Sequence, residues 1–430
     1  MFERGFGKRG KARTETGTEA RTETSIGASG EAERSGVSRR SFVVGGAAAA
    51  AAAAVAVNLS GCGDDGSVKK VTGEPQVITD TSKIADVTAD FKNDDCKLQA
   101  SASWDLPLGT VPFHSDGSWA ALMQAPESAR SVNTLGVLSL ASGAASTLVD
   151  RPTRGNGYSF FDVRCSDHVF AWVEMNYTTS DWVLLAQPME GGALQGKPIK
   201  LDRGNADWEP ARLTAAGDSV FWLKMPLASG SKRSEPSHCM RWHAGDKEGR
   251  SMYKSVGRFA TWPRISAGTI TIAPRVKNDE GTYYGLSAFD LESEKMVDQL
   301  VMPQGVSPFE AVYMSDSFAF SVEANYQSGG VLGKMGTFIG REGGPFTFLS
   351  REPLACPMGK GSTYLIKAQS SHFVVDTKDE TYSILVAPGQ ALGYGDYPAS
   401  EGTNDRVVTY ATVRGENGLP AAVRVRTFEL

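Results

Sequence analysis

A turn that returns at a near-constant interval constrains this chain more than any other feature. A small polar turn followed by an apolar run stands at Asp116-Gly117-Ser118-Trp119, Ser166-Asp167-His168-Val169 and Gly217-Asp218-Ser219-Val220. It returns at Ala267-Gly268-Thr269-Ile270, Ser315-Asp316-Ser317-Phe318, Lys360-Gly361-Ser362-Thr363-Tyr364 and Asn404-Asp405-Arg406-Val407. The first apolar residues fall at positions 119, 169, 220, 270, 318, 364 and 407, in steps of 50, 51, 50, 48, 46 and 43 residues. A second landmark keeps the same time: Leu140, Leu291 and Ile339 each lie 21 residues after the first apolar residue of their copy, and each runs into a tight polar turn. Between these marks Val, Ile, Phe, Tyr and Trp alternate with polar residues in short runs, the period of strands rather than helices.

Each unit has room for about four strands: one before the turn, one after it, and an outer hairpin. Such units bury their apolar faces only by stacking on one another. Seven of them imply an all-β chain, a β-propeller of about seven four-stranded blades, or of six if one copy is not a blade of its own. The last copy stops at Thr427-Phe428-Glu429-Leu430, one strand short. A strand from within 68–103 is therefore expected to close the ring. In this spacing, and in outer turns such as Leu140-Ala141-Ser142-Gly143, residues 95–430 resemble the TolB-like and quinoprotein-like propellers. That resemblance implies an architecture and no particular activity.

Upstream of the repeat the composition changes. Residues 38–44 read Ser-Arg-Arg-Ser-Phe-Val-Val and resemble the twin-arginine export consensus, with Arg39 and Arg40 as the pair and Phe42 two positions on. Gly45 to Val57 is almost wholly Ala, Gly and Val, and Leu59-Ser60-Gly61-Cys62 matches the bacterial lipobox at all four positions. The resemblance implies that residues 1–61 are a cleaved signal segment with a long polar n-region. It also implies that the Cys62 thiol receives diacylglycerol, which holds the mature chain at the outer face of a bacterial cytoplasmic membrane. Two acyl chains anchor stably where one binds reversibly. Residues 62–94 then read as lipidated cysteine, a solvated tether over Gly63 to Ser67, and the region of the ring-closing strand; 95–430 is the propeller.

Past residue 61 acidic residues outnumber basic ones by eight, and Lys and Arg form no run. This argues against nucleic acid as a partner, because phosphate-backbone affinity needs clustered cations. Once Cys62 is set aside, Cys96, Cys165, Cys239 and Cys356 allow two disulfides in three connectivities.

Nucleotide-binding loops, haem-attachment motifs, paired Cys-x-x-Cys motifs and nucleophile elbows are absent from the sequence. His238, Cys239 and His243 cluster, but in a strand Cys239 and His243 lie about 13 Å apart at ~3.3 Å per residue, with His238 on the other face. One metal does not take all three. Ser115 to Trp119 resembles the sialidase Asp-box but reads as a turn, as does Gly359-Lys360-Gly361-Ser362.

One pattern points to a site. An aromatic stands directly before a carboxylate at Trp104-Asp105, Phe161-Asp162, Trp208-Glu209 and Phe309-Glu310. The fourth copy has Trp262-Pro263-Arg264 and the seventh Asp396-Tyr397-Pro398. These doublets are expected to begin the innermost strands, beside the central channel. There the aromatics either wedge between blades while the carboxylates pair with neighbours, or the carboxylates form a ring that holds a divalent cation or a polar ligand stacked on aromatic walls. No other cofactor is implied. The leading functional expectation is a non-catalytic, membrane-anchored module that binds a ligand or an envelope protein. The alternative is a propeller-type enzyme, a lyase, glycan hydrolase or quinoprotein-like dehydrogenase, with the carboxylates as acid and base. A third expectation is an assembly factor for envelope redox complexes.

Overall fold

Strand Val169–Met175 shows why the repeat folds as it does. Val169, Ala171 and Val173 point into a core shared with the following unit, and Phe170 and Trp172 into a core shared with the preceding one. A strand that is apolar on both faces must be covered on both, and a closed ring of stacked sheets covers every face.

The computed structural model describes residues 71–430 except 76, 129, 130, 279, 280 and 394. Arg39, Arg40, Phe42, Cys62 and the tether lie outside the described residues. Among those described, strands form seven sheets. Six are continuous antiparallel meanders, whose innermost strands are Thr110–Asp116, Ser159–Cys165, Arg212–Ala216, Arg264–Ser266, Glu310–Met314 and Met358–Lys360. The seventh is composite: Tyr397–Pro398, Arg406–Arg414 and Pro420–Glu429, with Ala102–Pro107 outside them. Counting continuous meanders gives six blades, the smaller number read from the repeat; the composite sheet fills one further position in the ring and is called blade seven for that position alone. We number the sheets one to seven in that order. A hydrophobic core lies between each adjacent pair, including seven and one, where Leu106, Val408 and Val425 meet Ala120, Leu122 and Leu138.

The recurrent turn joins the innermost strand to the second. At Ser315 and Asp316 both φ angles are positive, 47° and 61°, which is the geometry a two-residue hairpin of this hand requires. The second landmark has a backbone cause. The N–H of Leu140 donates to the Ser118 carbonyl at 2.9 Å, and that of Leu291 to Gly268 at 2.9 Å, so the third strand always ends against the first turn.

Ring closure joins the two ends of the described chain, from Ala102 opposite Thr427 to Pro107 opposite Ala422. Only the first two residues of that strand fall inside the expected window of 68–103. The rest of the window forms a belt around the rim. Val71 packs on Tyr283 and Val301 of blade four, and the Tyr283 hydroxyl donates to the Gly73 carbonyl at 2.8 Å. Ile84–Asp86 adds in parallel outside Phe346–Leu349 of blade five, and Lys92–Asn93 outside Thr381–Leu385 of blade six. Val87 and Phe91 fill the core between five and six. Trp104 and Asp105 consequently sit on the outermost strand of blade seven and do not begin an innermost strand, contrary to the expectation from the doublet. The thiols of Cys96, Cys165, Cys239 and Cys356 are all unpaired. Among the described residues no helix is long and apolar enough to cross a membrane.

Candidate functional site

The central channel is filled from inside. The innermost strand of blade seven pairs with its neighbour only over Tyr397–Pro398, after which the chain turns in toward the other blades. The Ala399 carbonyl accepts from the Ser115 N–H at 2.9 Å, and the Ser400 and Ser115 hydroxyls lie 2.7 Å apart. The Gly402 N–H donates to Pro357 at 3.0 Å and that of Asn404 to Gly359 at 2.9 Å, while the Ser266 hydroxyl of blade four donates to Thr403 at 3.0 Å. Gly402 has φ +69°, and a Cβ there would collide with the Ile265 carbonyl, so only glycine permits this approach.

At the tip of this plug is Glu401, almost wholly buried. Arg264 donates to it, the Thr214 hydroxyl lies 3.3 Å away and His114 Nε2 4.0 Å away. Burial pushes the Glu401 carboxyl up, but the guanidiniums, Arg264 foremost and then Arg164, outweigh burial and hold it below the usual range. His114 is buried and Nδ1 sits 2.9 Å from the Cys165 carbonyl; burial lowers its pKa to about 4, so at neutral pH it faces Glu401 uncharged.

The carboxylates expected to ring the mouth each face a guanidinium. Asp162 is buried; its carboxylate accepts from Arg164 Nε at 3.4 Å and from the Val163 N–H at 2.8 Å. Glu209 accepts from Arg212 at 3.2 Å and from Arg258. Glu310 takes two bonds from Arg264, at 2.7 and 3.0 Å. The Trp262 ring lies between Arg164 and Arg212, whose guanidinium carbons are 5.3 and 5.9 Å from its centroid. Phe161 packs into the core between blades two and three, and Phe309 is half-buried where the fifth blade begins. Asp396 is paired with Arg426, Tyr397 lies beneath Lys367 at 4.8 Å, and Asp105 is bonded twice to Arg424 at 2.7 Å on the rim. A ring of mutually crowded carboxylates is therefore not what these residues build. Like charges repel strongly in a buried channel, and the arginines at 164, 212, 258 and 264 neutralise them in place. At the opposite end, burial first, then Asp167 and Glu401, raise Asp116 to about 6. The histidines of the His238 cluster turn to other partners, His238 to the Ser251 hydroxyl and His243 to the Ala244 carbonyl.

A cleft of about 440 Å³ lies over blades two and three, on the face where innermost strands begin. Arg154 and Tyr158 come from the connection between blades one and two, and Lys200 and Arg203 from the outermost strand of blade two. Trp208 lies on the connection into blade three, and Lys232 on the hairpin loop between the second and third strands of that blade. Trp182, buried, forms the floor against Gly204, where any side chain would collide with its ring. Its indole N–H donates to the Trp208 carbonyl at 3.1 Å. Asp207 binds the Ser231 N–H and hydroxyl at 3.0 and 2.8 Å, which fixes the loop that carries Lys232.

No protein-family model matches this chain, and no curated protein matches it by sequence. It is similar to the β-propeller domain of the trilobed protease from Pyrococcus furiosus, with 10% identity over 75% of this chain and 95% of that one and a TM-score of 0.48. It is also similar to oligogalacturonate lyase from Vibrio parahaemolyticus, with 11% identity over 78% of this chain and 98% of that one and a TM-score of 0.43. Against puromycin hydrolase the identity is 16% and the TM-score 0.44, covering 76% of this chain and 53% of the hydrolase, about half its length. At these identities and TM-scores the likenesses decide nothing, and the ring of sheets and cores carries the fold unaided. This chain folds as a β-propeller.

Of the residues singled out in the sequence, the propeller brings Asp162, Glu209, Trp262, Arg264 and Glu310 to its mouth and places Trp208 in the cleft. It sends Trp104 and Asp105 to the outer rim of blade seven, while Asp396 and Tyr397 do begin that blade's innermost strand, with Asp396 tied to Arg426. The arginines at the mouth left a faint sequence signal, a cation two or three residues after the carboxylate in Asp162-x-Arg164 and Glu209-x-x-Arg212. Arg154, Tyr158 and Lys232 left none, because they sit in connections of unequal length that do not repeat, and Lys200 and Arg203 left none because their outermost strand holds none of the recurring landmarks.

Proposed function

We propose that this chain is a lipid-anchored extracytoplasmic protein whose propeller binds an anionic ligand in the cleft over blades two and three. One contrast carries the reading. The channel charges are neutralised among themselves, whereas Arg154, Lys200 and Arg203 have no carboxylate partner among the described residues, in a chain that is otherwise acidic. Asp181 is the single carboxylate in the cleft lining, and it is held by the Thr179 hydroxyl at 2.8 Å. A concave, aromatic-floored site with unpaired cations is suited to anions.

Intrinsic tryptophan fluorescence, titrated with polyglutamate at low salt, reports on Trp208. A saturable change, reversed by salt and lost in the Lys200→Gln/Arg203→Gln variant, is the expected result; identical curves for both proteins would overturn the proposal. Anchoring rests on Arg39, Arg40, Phe42 and Cys62, with the membrane as partner. Metabolic labelling with a clickable fatty acid should mark the wild type and not Cys62→Ala.

A second reading, a propeller-type lyase or glycan hydrolase, is favoured by Asp116. A carboxyl raised to about 6 is suited to general acid–base work near neutrality. Cleavage of an oligosaccharide that disappears in Asp116→Asn would establish that reading in place of simple binding.

A further inference from the structure

The cleft constrains its ligand beyond the sign of the charge. We infer that it recognises an anionic saccharide, a chain of sugar rings bearing a negative group on successive rings; this rests on the anion-binding reading above. The first argument is where the cations stand. Arg154, Lys200, Arg203 and Lys232 come from three separate segments and line different walls, all as long side chains. A compact polyphosphate is held by convergent backbone N–H groups at a glycine-rich loop or helix start. The lining of this cleft contains neither. Cations distributed along the walls match charges distributed along a chain.

The second argument is that aromatic faces and cations occur side by side. Trp208 is half-buried and held by backbone contacts: a bridge to Pro226, an N–H donated to Asn205 at 2.9 Å, and its carbonyl taken by Trp182. Lys224 and Lys232 lie 5.3 and 5.2 Å from its ring centroid. Lys224 is kept there by its ion pair with Asp202, which also takes the Trp222 indole N–H at 2.9 Å. Tyr158 carries Arg154 at 5.6 Å in the same manner. Each aromatic thus carries a cation over its ring, so cation and ring are presented to the cleft together. A uronate residue offers the complement, a carboxylate for the cation beside a face of C–H groups for the part of the ring left open. An acidic peptide supplies the charge without the face. At about 440 Å³ the cleft is of small-ligand size, suited to a few sugar rings.

The test is titration calorimetry of the full chain in detergent with four probes: an alginate tetramer, a neutral cello-oligomer of equal length, polyglutamate and inorganic tripolyphosphate. The alginate tetramer should bind tightest, with the neutral oligomer weaker by about tenfold or more, as expected when two unpaired cations engage it. Trp208→Ala should weaken alginate binding about 30-fold, as for an aromatic anchor, and leave polyglutamate binding nearly unchanged. Trp208→Phe, which keeps a ring, should retain most of the affinity and so separates stacking from folding. Lys200→Gln/Arg203→Gln, on exposed side chains, should weaken both anionic polymers about tenfold. Equal affinity for the neutral oligomer would overturn the requirement for charge. Tighter binding of tripolyphosphate or polyglutamate than of alginate would overturn the saccharide assignment and leave anion binding standing. No binding by any of the three anions would remove both.

Discussion

Blades four to seven and blades one to three are built alike but finished differently. The first group wears the belt. Val71 and Thr72 lie on blade four, Ile84–Asp86 outside five, Lys92–Asn93 outside six, and Ala102–Pro107 is itself the rim of seven. Blades one to three end, among the described residues, in Ala145–Val149, Ile199–Gly204 and Arg250–Ser255, with no strand outside them. The side chains follow from this. Covered rims are apolar, as in Phe346, Phe348, Leu349 and Leu385, whereas bare rims on blades two and three carry Lys200, Arg203, Arg250 and Lys254. An exposed sheet edge invites pairing with other chains, and charge is one of the ways to prevent it. On blade two the charged edge also forms a wall of the cleft. The proposed ligand site thus lies where the belt does not reach.

The widest effect should come from the residue that links the two halves. Glu401 joins Arg264 of blade four to Thr214 of blade three, so Glu401→Ala leaves the buried Arg264 with Glu310 alone, removes the partner of Thr214, and should cost about 3 kcal/mol. Urea melts followed by circular dichroism measure this, and a loss below ~1 kcal/mol would mean the plug does not hold the ring. Next, Phe91→Ala opens a cavity under the belt and should cost about 3 kcal/mol. Hydrogen exchange should then accelerate at Phe346–Leu349 and Thr381–Leu385 until it matches Ile199–Gly204, removing the contrast between the halves. If exchange rises equally all round the ring, the belt has no local role.

Acid divides the halves more gently. Burial lowers His114 in blade one to about 4, and burial with Lys367 and Arg426 lowers His372 in blade six to about 3. Both stay neutral when folded while the unfolded chain takes up protons below ~6.5, so stability falls as pH drops through that window. Asp116 in blade one works in the opposite sense. Raised to about 6, it holds an extra proton when folded, so its contribution falls as pH rises from about 4 to 6. The two effects offset one another in blade one, and beside His372 the carboxyl of Asp396, 3.9 Å away and raised by burial, opposes it in the same sense. Asp116→Asn should raise stability at pH 7 by about 1 kcal/mol and steepen the loss toward pH 4. A variant with an unchanged pH profile would show that Asp116 titrates normally. The smallest effect belongs to Lys200→Gln/Arg203→Gln, expected within ~0.5 kcal/mol of wild type, as for exposed substitutions.

What was legible beforehand was whatever repeats. The inner turn must accept positive φ in copy after copy, so its Gly, Asp and Ser recur and reveal the period. The doublet at Trp104-Asp105 misled because sequence order places it ahead of blade one, while strand pairing assigns it to blade seven. The plug was invisible as a pattern because it occurs once, in the few extra residues between Pro398 and the turn at Asn404-Asp405. The cleft was legible only at Trp208, since Arg154 and Lys232 stand on connections that differ from blade to blade, and Lys200 and Arg203 on an outer strand that holds none of the recurring landmarks.

The closing strand also bears on the timing of synthesis. Asp105 meets Arg424 across 319 residues of chain, and Ala102 pairs with Thr427 near the C-terminus. No nascent fragment can make these contacts, so closure waits until the last strand has left the ribosome, and contacts this distant form slowly. Until then blades one and seven each show an open apolar face. For a chain carrying the export address proposed above, the joined ends would mark the difference between a finished molecule and cargo not ready to leave.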